Sequence, residues 1–129
     1  MILVDSSVWI DFFSSRPGAA GGELRRMIQQ SEPFAITGVV VAEVLQGLVR
    51  DAAIIERFLS QWNMLEPAGF ETYGSAAAMV RKARATGVSL TTIDSLIAAI
   101  ALEHGASVFT LDKDFSTISR ITGLELYRF

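Results

Sequence analysis

The chain has 129 residues, half of them hydrophobic, a formal charge of −3 and no cysteine. That length suits one domain with a real core, expected to span residues 1–129, and the missing cysteines exclude disulfides, a thiolate nucleophile and cysteine-based zinc sites. Charges break every apolar run before the ~18 residues of a membrane span, and the negative balance disfavours holding a nucleic acid by overall positive field.

Residues 1–4, MILV, are a short apolar run that predicts a strand, followed by Asp5 at the mouth of the helical segment SSVWIDFF. An acid stands where a signal peptide would be basic, so a cytoplasmic protein is expected. RPGAAGG, residues 16–22, is a surface loop; Leu24, Met27 and Ile28 then form a helical stripe. Residues 34–37 predict a second strand and GVVVAEVLQGL a helix. Ile54, Ile55, Phe58, Leu59 and Trp62 form the next stripe, and Tyr73, Ala76, Ala77 and Val80 another. The helix TTIDSLIAAIALEHG stops at Gly105. Residues 107–110 predict a strand that ends in LDKD, DFSTIS a short helical turn that Asp114 can cap, and residues 124–129 a last strand.

Strands alternating with helices imply an α/β domain: a mainly parallel central sheet with helices on both faces, because parallel strands need crossovers that cover the sheet. Ligands on such sheets bind beyond the carboxyl ends of the strands. Asp5 and Asp112 follow strands at that edge, and Asp94 lies in the first turn of a helix entered from it. Each also has a purely structural reading: Asp5 as an N-cap, Thr91 to Asp94 as a capping-box spacing, Asp112 and Asp114 as turn residues. Glu43 interrupts VVVAEVL, where a charge is costly unless it meets water, a partner or a metal. Arg25 with Arg26, and Arg81, Lys82 and Arg84, sit near helix ends, where cations favour the dipole. His104 beside Gly105 suits capping better than ligation.

Four carboxylates in one crevice repel one another unless a cation lies between them. All-oxygen ligation suits Mg²⁺, or Mn²⁺ in its place, and that chemistry suits phosphodiester hydrolysis.

VDSSVWIDFF, VVVAEVLQGL, TTIDSLIAAIALEHG and VFTLDKDF together resemble a PIN-domain ribonuclease of the VapC toxin type, over essentially the whole chain. The resemblance implies a single PIN domain with an acidic quartet of catalytic and metal-binding residues at Asp5, Glu43, Asp94 and Asp112. Asp114 matches a frequent extra acid, and Ser6 and Thr110 match hydroxyls that support the ligands; Ser6 stands where many relatives have Thr. It further implies Mg²⁺-dependent endonucleolytic cleavage of RNA, a homodimer and a cognate VapB-like antitoxin. A catalytically silent PIN-like RNA-binding or scaffold module is the alternative. A phospho-receiver would need an acceptor Asp on a middle strand, and FAITG has none; a haloacid-dehalogenase-type phosphatase would need DxD at the first strand, and VDSSV has one acid. Val8, Trp9, Phe12, Phe13, Ile54, Phe58 and Trp62 offer more apolar area than one sheet needs, and any surplus suits an antitoxin helix.

Overall fold

The computed structural model describes residues 1–129 as four short strands and seven helices. β1 (Ile2–Val4) leads into α1 (Ser6–Phe13) and α2 (Ala19–Gln29); β2 (Ala35–Thr37) leads into α3 (Gly38–Gln46) and α4 (Ala52–Leu59). β3 (Asn63–Leu65) is followed by α5 (Phe70–Ala85) and α6 (Thr92–Glu103), and β4 (Ser107–Phe109) by α7 (Asp114–Thr122). All pairings are parallel, in the order β3-β2-β1-β4. The chain builds outward from β1 to β3, then crosses back to lay β4 on the other side of β1, with Leu3 opposite both Ala35 and Val108. With right-handed crossovers, that reversal puts α1–α4 and α5–α7 on opposite faces. It also opens the topological switch point between the carboxyl ends of β1 and β4.

The strands are buried runs rather than alternating ones, as expected of a parallel sheet covered on both sides: Leu3, Val4, Ala35, Ile36, Val108 and Phe109 are inaccessible. α6 is apolar around most of its girth, with Ile97, Ala98, Ala99, Ile100 and Ala101 all buried. Its alanines allow close approach to neighbours, and Gly105, at φ +64°, turns the chain out of it. Trp9 is enclosed by Phe12, Phe13, Phe34, Phe58 and Trp62, with ring centroids 5.8–6.4 Å away. Most of the expected surplus on α1 and α4 is thus spent on this cluster. Ile54 remains exposed on α4, as do two groups at the start of α5: Tyr73, which heads the predicted stripe, and Phe70, which periodicity did not single out. No helix is long and apolar enough to cross a membrane.

Four expectations need correction. RPGAAGG is loop only to Gly18; its residues 19–22 form the first turn of α2, with Ala20 and Gly21 buried. Residues 124–129 form no strand; they touch β4 through a single parallel bridge, Val108 to Leu126. DFSTIS is not one turn but the start of a nine-residue helix, stopped by Gly123 at φ +77°. Trp62 lies beyond the end of α4, immediately before β3. β3 itself gives little signal, because only Leu65 of its three residues is buried.

α2 has no side-chain cap of its own; Asp11 of α1 supplies one, its carboxylate accepting from the Gly18 and Gly21 N–H groups at 3.0 and 2.7 Å. A Cβ at Gly21 would stand 2.9 Å from Asp11 Oδ2 and 3.0 Å from the Phe12 backbone. Gly21→Val is therefore expected to cost about 1–3 kcal/mol by forcing the helices apart. Gly22→Ala, with open space around it, should cost nothing. Urea denaturation checks both, and an unchanged midpoint for Gly21→Val refutes the close approach.

Candidate acidic site

Asp5 leaves β1 as the N-cap of α1, its N–H bonded to the Phe109 carbonyl of β4 at 2.9 Å. Only 2% of its surface is exposed. Oδ2 accepts from Ser7 Oγ and Thr110 Oγ1, both at 2.8 Å, and more distantly from the Ser7 N–H at 3.4 Å. Oδ1 has only Ser6 Oγ, at 3.5 Å. One oxygen is thus consumed by the scaffold and the other is left with lone pairs to offer.

Ser6 makes its stronger bond, 3.0 Å, to Glu43 Oε1. This hydroxyl spans from the start of α1 to the middle of α3 and holds the half-buried Glu43 toward Asp5. The solvated-face reading of Glu43 therefore gives way to one in which it faces the acidic crevice.

Asp94 enters from the opposite group of helices. Thr91 caps α6, its Oγ1 accepting from the Asp94 N–H at 3.1 Å, so the capping spacing read in TTID is real. Asp94 is nevertheless only 8% exposed, and its carboxyl is pushed up to about 7, by burial first and then by the negative charges of Asp112 and Asp5. Asp94, Asp112 and Asp114 each place a carboxylate oxygen within 4.8 Å of the others. Asp114 thus sits closer to the centre than a supporting role implies. Nor does it provide the helix cap expected of it: Asp112 Oδ1 accepts the Asp114 N–H at 2.9 Å, and Thr110 Oγ1 accepts the Asp112 N–H at 2.9 Å. His104 lies at the other end of α6, its Nε2 on the Glu66 carbonyl at 2.8 Å.

Ser7 went unread in the sequence. It donates to Asp5 and accepts the Leu111 N–H at 2.9 Å, joining β1 to the loop after β4. The signal was available: an N-cap Asp accepts from the residue two or three positions on, which in VDSSV is Ser7 or Val8.

These donors fit a hard divalent cation. Every side chain at the centre offers oxygen, no histidine or cysteine is near, and the Asp94 pKa, raised first by burial, is raised further by the negative charges of Asp112 and Asp5, which a cation relieves. Asp94, Asp112 and Asp114 are the acids whose oxygens the fold brings together; Asp5, whose charge is felt at Asp94, and Glu43, linked through Ser6, border that group.

The chain matches the PIN domain family over residues 2–121. It is 33% identical, over 133 aligned positions, to a VapC ribonuclease of Mycobacterium bovis and to ribonuclease VapC11 of Mycobacterium tuberculosis, covering 100% of this chain and 99% of each relative. Among solved structures, VapBC2 from Rickettsia felis bound to a promoter DNA fragment superposes with a TM-score of 0.75 at 18% identity, covering 100% of this chain and 99% of that one. VapBC-1 from nontypeable Haemophilus influenzae gives 0.75 at 19%, covering 98% and 97%. The chain belongs to the PIN domain family, and its relatives are of the VapC type.

Proposed function

We propose that this PIN-domain protein is the toxin of a type II toxin–antitoxin pair, an endoribonuclease that hydrolyses RNA with Mg²⁺ held by Asp5, Asp94 and Asp112. The observation that carries the reading is the convergence of carboxylates at the switch point: Asp94, Asp112 and Asp114 each place an oxygen within 4.8 Å of the others, and the Asp94 carboxyl is pushed up to about 7 by burial first and then by the charges of Asp112 and Asp5. A silent scaffold has no use for such crowding, which costs stability. Its curated relatives bear the name ribonuclease over their full length.

A bound divalent cation would lower the pKa of water and neutralise charge on the phosphate. The side chains do the rest. Thr110 and Ser7 fix Asp5 Oδ2, so Oδ1 faces the ligand in one orientation without reorganising. Glu43, steered by Ser6, and Asp114 stand at the margin as acceptors that orient the attacking water and take up its proton. Water attacks phosphorus in line and the bond to the leaving oxygen breaks. The serines at the crevice, Ser6 and Ser7, are engaged in holding Glu43 and Asp5, the chain has no cysteine, and its one histidine lies at the far end of α6.

The reading includes a VapB-like antitoxin, a homodimer and action in the cytoplasm. Ile54 on α4 and Phe70 and Tyr73 on α5 are apolar surface on offer to such partners. The purified, antitoxin-free protein is expected to cut RNA with Mg²⁺ or Mn²⁺ and to stop when EDTA is added. Undiminished cleavage in excess chelator refutes the metal, and no cleavage with either ion supports the silent module.

A further inference from the structure

The acidic crevice continues past Asp112 into a cavity of different character. Residues 124–129 run beside β4, the Val108 N–H donating to the Glu125 carbonyl at 3.0 Å and the Tyr127 N–H to the Val108 carbonyl at 2.8 Å. Because this pairing is parallel, the segment carries Arg128 to the same edge at which β4 delivers Thr110 and Asp112. There a cavity of about 260 Å³ opens, with Thr110, Asp112, Lys113, Ser116, Tyr127 and Arg128 among its walls. Thr110 and Asp112 belong to both spaces. Lys113 and Arg128 are exposed, and neither is in an ion pair; the salt bridges of the chain are those of Arg26.

The position of Arg128 is anchored. The neighbouring Tyr127 packs its ring against Phe109 at 4.9 Å and donates its hydroxyl to Glu23 of α2 at 2.5 Å. Glu23 is gripped in turn by Arg26, which also pairs with Glu32. These bonds from Arg26 and Tyr127 hold the Glu23 carboxyl down to about 2, so the anchor persists across the physiological pH range. Two unpaired cations thus flank the crevice of a chain whose net charge is −3.

We propose that this cavity is a phosphate subsite of the RNA strand, in which Lys113 and Arg128 take a backbone phosphate adjoining the one that is hydrolysed. The inference rests on the ribonuclease reading above and adds the direction in which the strand leaves the acidic crevice, over β4 toward residues 124–129. A cation among the carboxylates offsets the repulsion of one phosphate only. The next phosphate along the strand needs its own counter-charge, and Lys113 and Arg128 supply it at the shared wall. Such contacts set the position and register of a strand and carry no base selection.

The test uses an Asp5→Asn background, which blocks turnover, and measures affinity for a single-stranded RNA oligonucleotide over a salt series at fixed Mg²⁺. Adding Lys113→Gln and Arg128→Gln is expected to flatten the log–log salt slope by about 0.7 per cation removed and to weaken binding about tenfold at low salt. Arg16→Gln, in the loop after α1, with Arg120→Gln, in the last turn of α7, removes the same charge outside the cavity wall and should leave the slope close to that of the background. In the otherwise unaltered enzyme, the Lys113 and Arg128 changes should raise KM with kcat largely kept. If the RNA affinity and slope are untouched, or fall equally with the Arg16 and Arg120 pair, the subsite is refuted while the nuclease reading stands. If the unaltered enzyme neither binds nor cuts RNA, the nuclease reading falls and the subsite with it.

Discussion

Asp94→Asn is expected to reduce RNA cleavage by about a thousandfold or more, equivalent to ~4 kcal/mol of transition-state stabilisation, while making the metal-free protein more stable above neutral pH. The amide keeps the shape and the Thr91 cap but gives up a charged ligand oxygen. The stability gain follows from the direction of the pKa shift. In the unfolded chain the Asp94 carboxyl titrates near 3.8; in the folded chain burial and its acidic neighbours raise it to about 7. Between those values the folded state keeps a proton that the unfolded state has lost. Stability therefore falls as pH rises from about 4 to about 7, and the penalty is complete above that window. The neutral amide of the variant has no charge to penalise. Urea denaturation in EDTA at pH 5 and pH 8 should show a parent protein that weakens at the higher pH by up to a few kcal/mol, as an upper bound of about 1.4 per unit allows, and a variant that weakens less. Mg²⁺ at pH 8 should restore the parent and do little for the variant. Parallel pH curves would remove the like-charge cluster as the basis of the metal site.

Asp112→Asn should also cost about a thousandfold in cleavage, and Asp114→Asn about tenfold, although each places an oxygen within 4.8 Å of Asp94. The division comes from what each acid does to its neighbours. Asp112 is the largest electrostatic contributor to the raised Asp94 pKa and Asp5 also contributes, whereas Asp114 does not figure among the causes. Asp112 is therefore the acid whose charge must be balanced at the centre, and Asp114 is the one that can stay solvated at the edge. Asp112→Asn should also lower the Asp94 pKa, visible by carboxylate NMR titration, and Asp114→Asn should leave it nearly in place. Equal losses of activity in folded variants would make Asp114 a full member of the set.

The acids could be found in the sequence because parallel α/β topology puts loop residues after strands at one edge, and the short runs MILV and SVFT mark where two strands end. Thr91 and Asp94 show that a residue's structural reading and its site reading are compatible: the backbone N–H of Asp94 is capped while its carboxyl faces Asp112. Less was legible where contacts depend on distant partners. Ser6 could be named as a supporting hydroxyl, but that it bonds Glu43 more closely than Asp5 depends on how α3 packs against α1. β3 left no mark because an edge strand with one buried residue has no periodicity to show. The turn chemistry after Asp112 was assigned to the wrong acid: Asp caps the N–H two residues on, so Asp112, not Asp114, closes the start of α7. Residues 124–129 looked like a strand because their alternation is strand-like, yet pairing with β4 supplies only one bridge.

The bond from Thr110 to Asp5 joins residues 105 apart in sequence, and β4, the last strand made, is the neighbour that β1 waits for. Half of the crevice is therefore missing from any fragment that stops short of β4. During synthesis the first acid leaves the ribosome long before its partners, and no incomplete product of translation or proteolysis lacking β4 carries an assembled centre. A cell that makes this chain is exposed to its chemistry only after residues beyond Asp112 have emerged and β4 has docked.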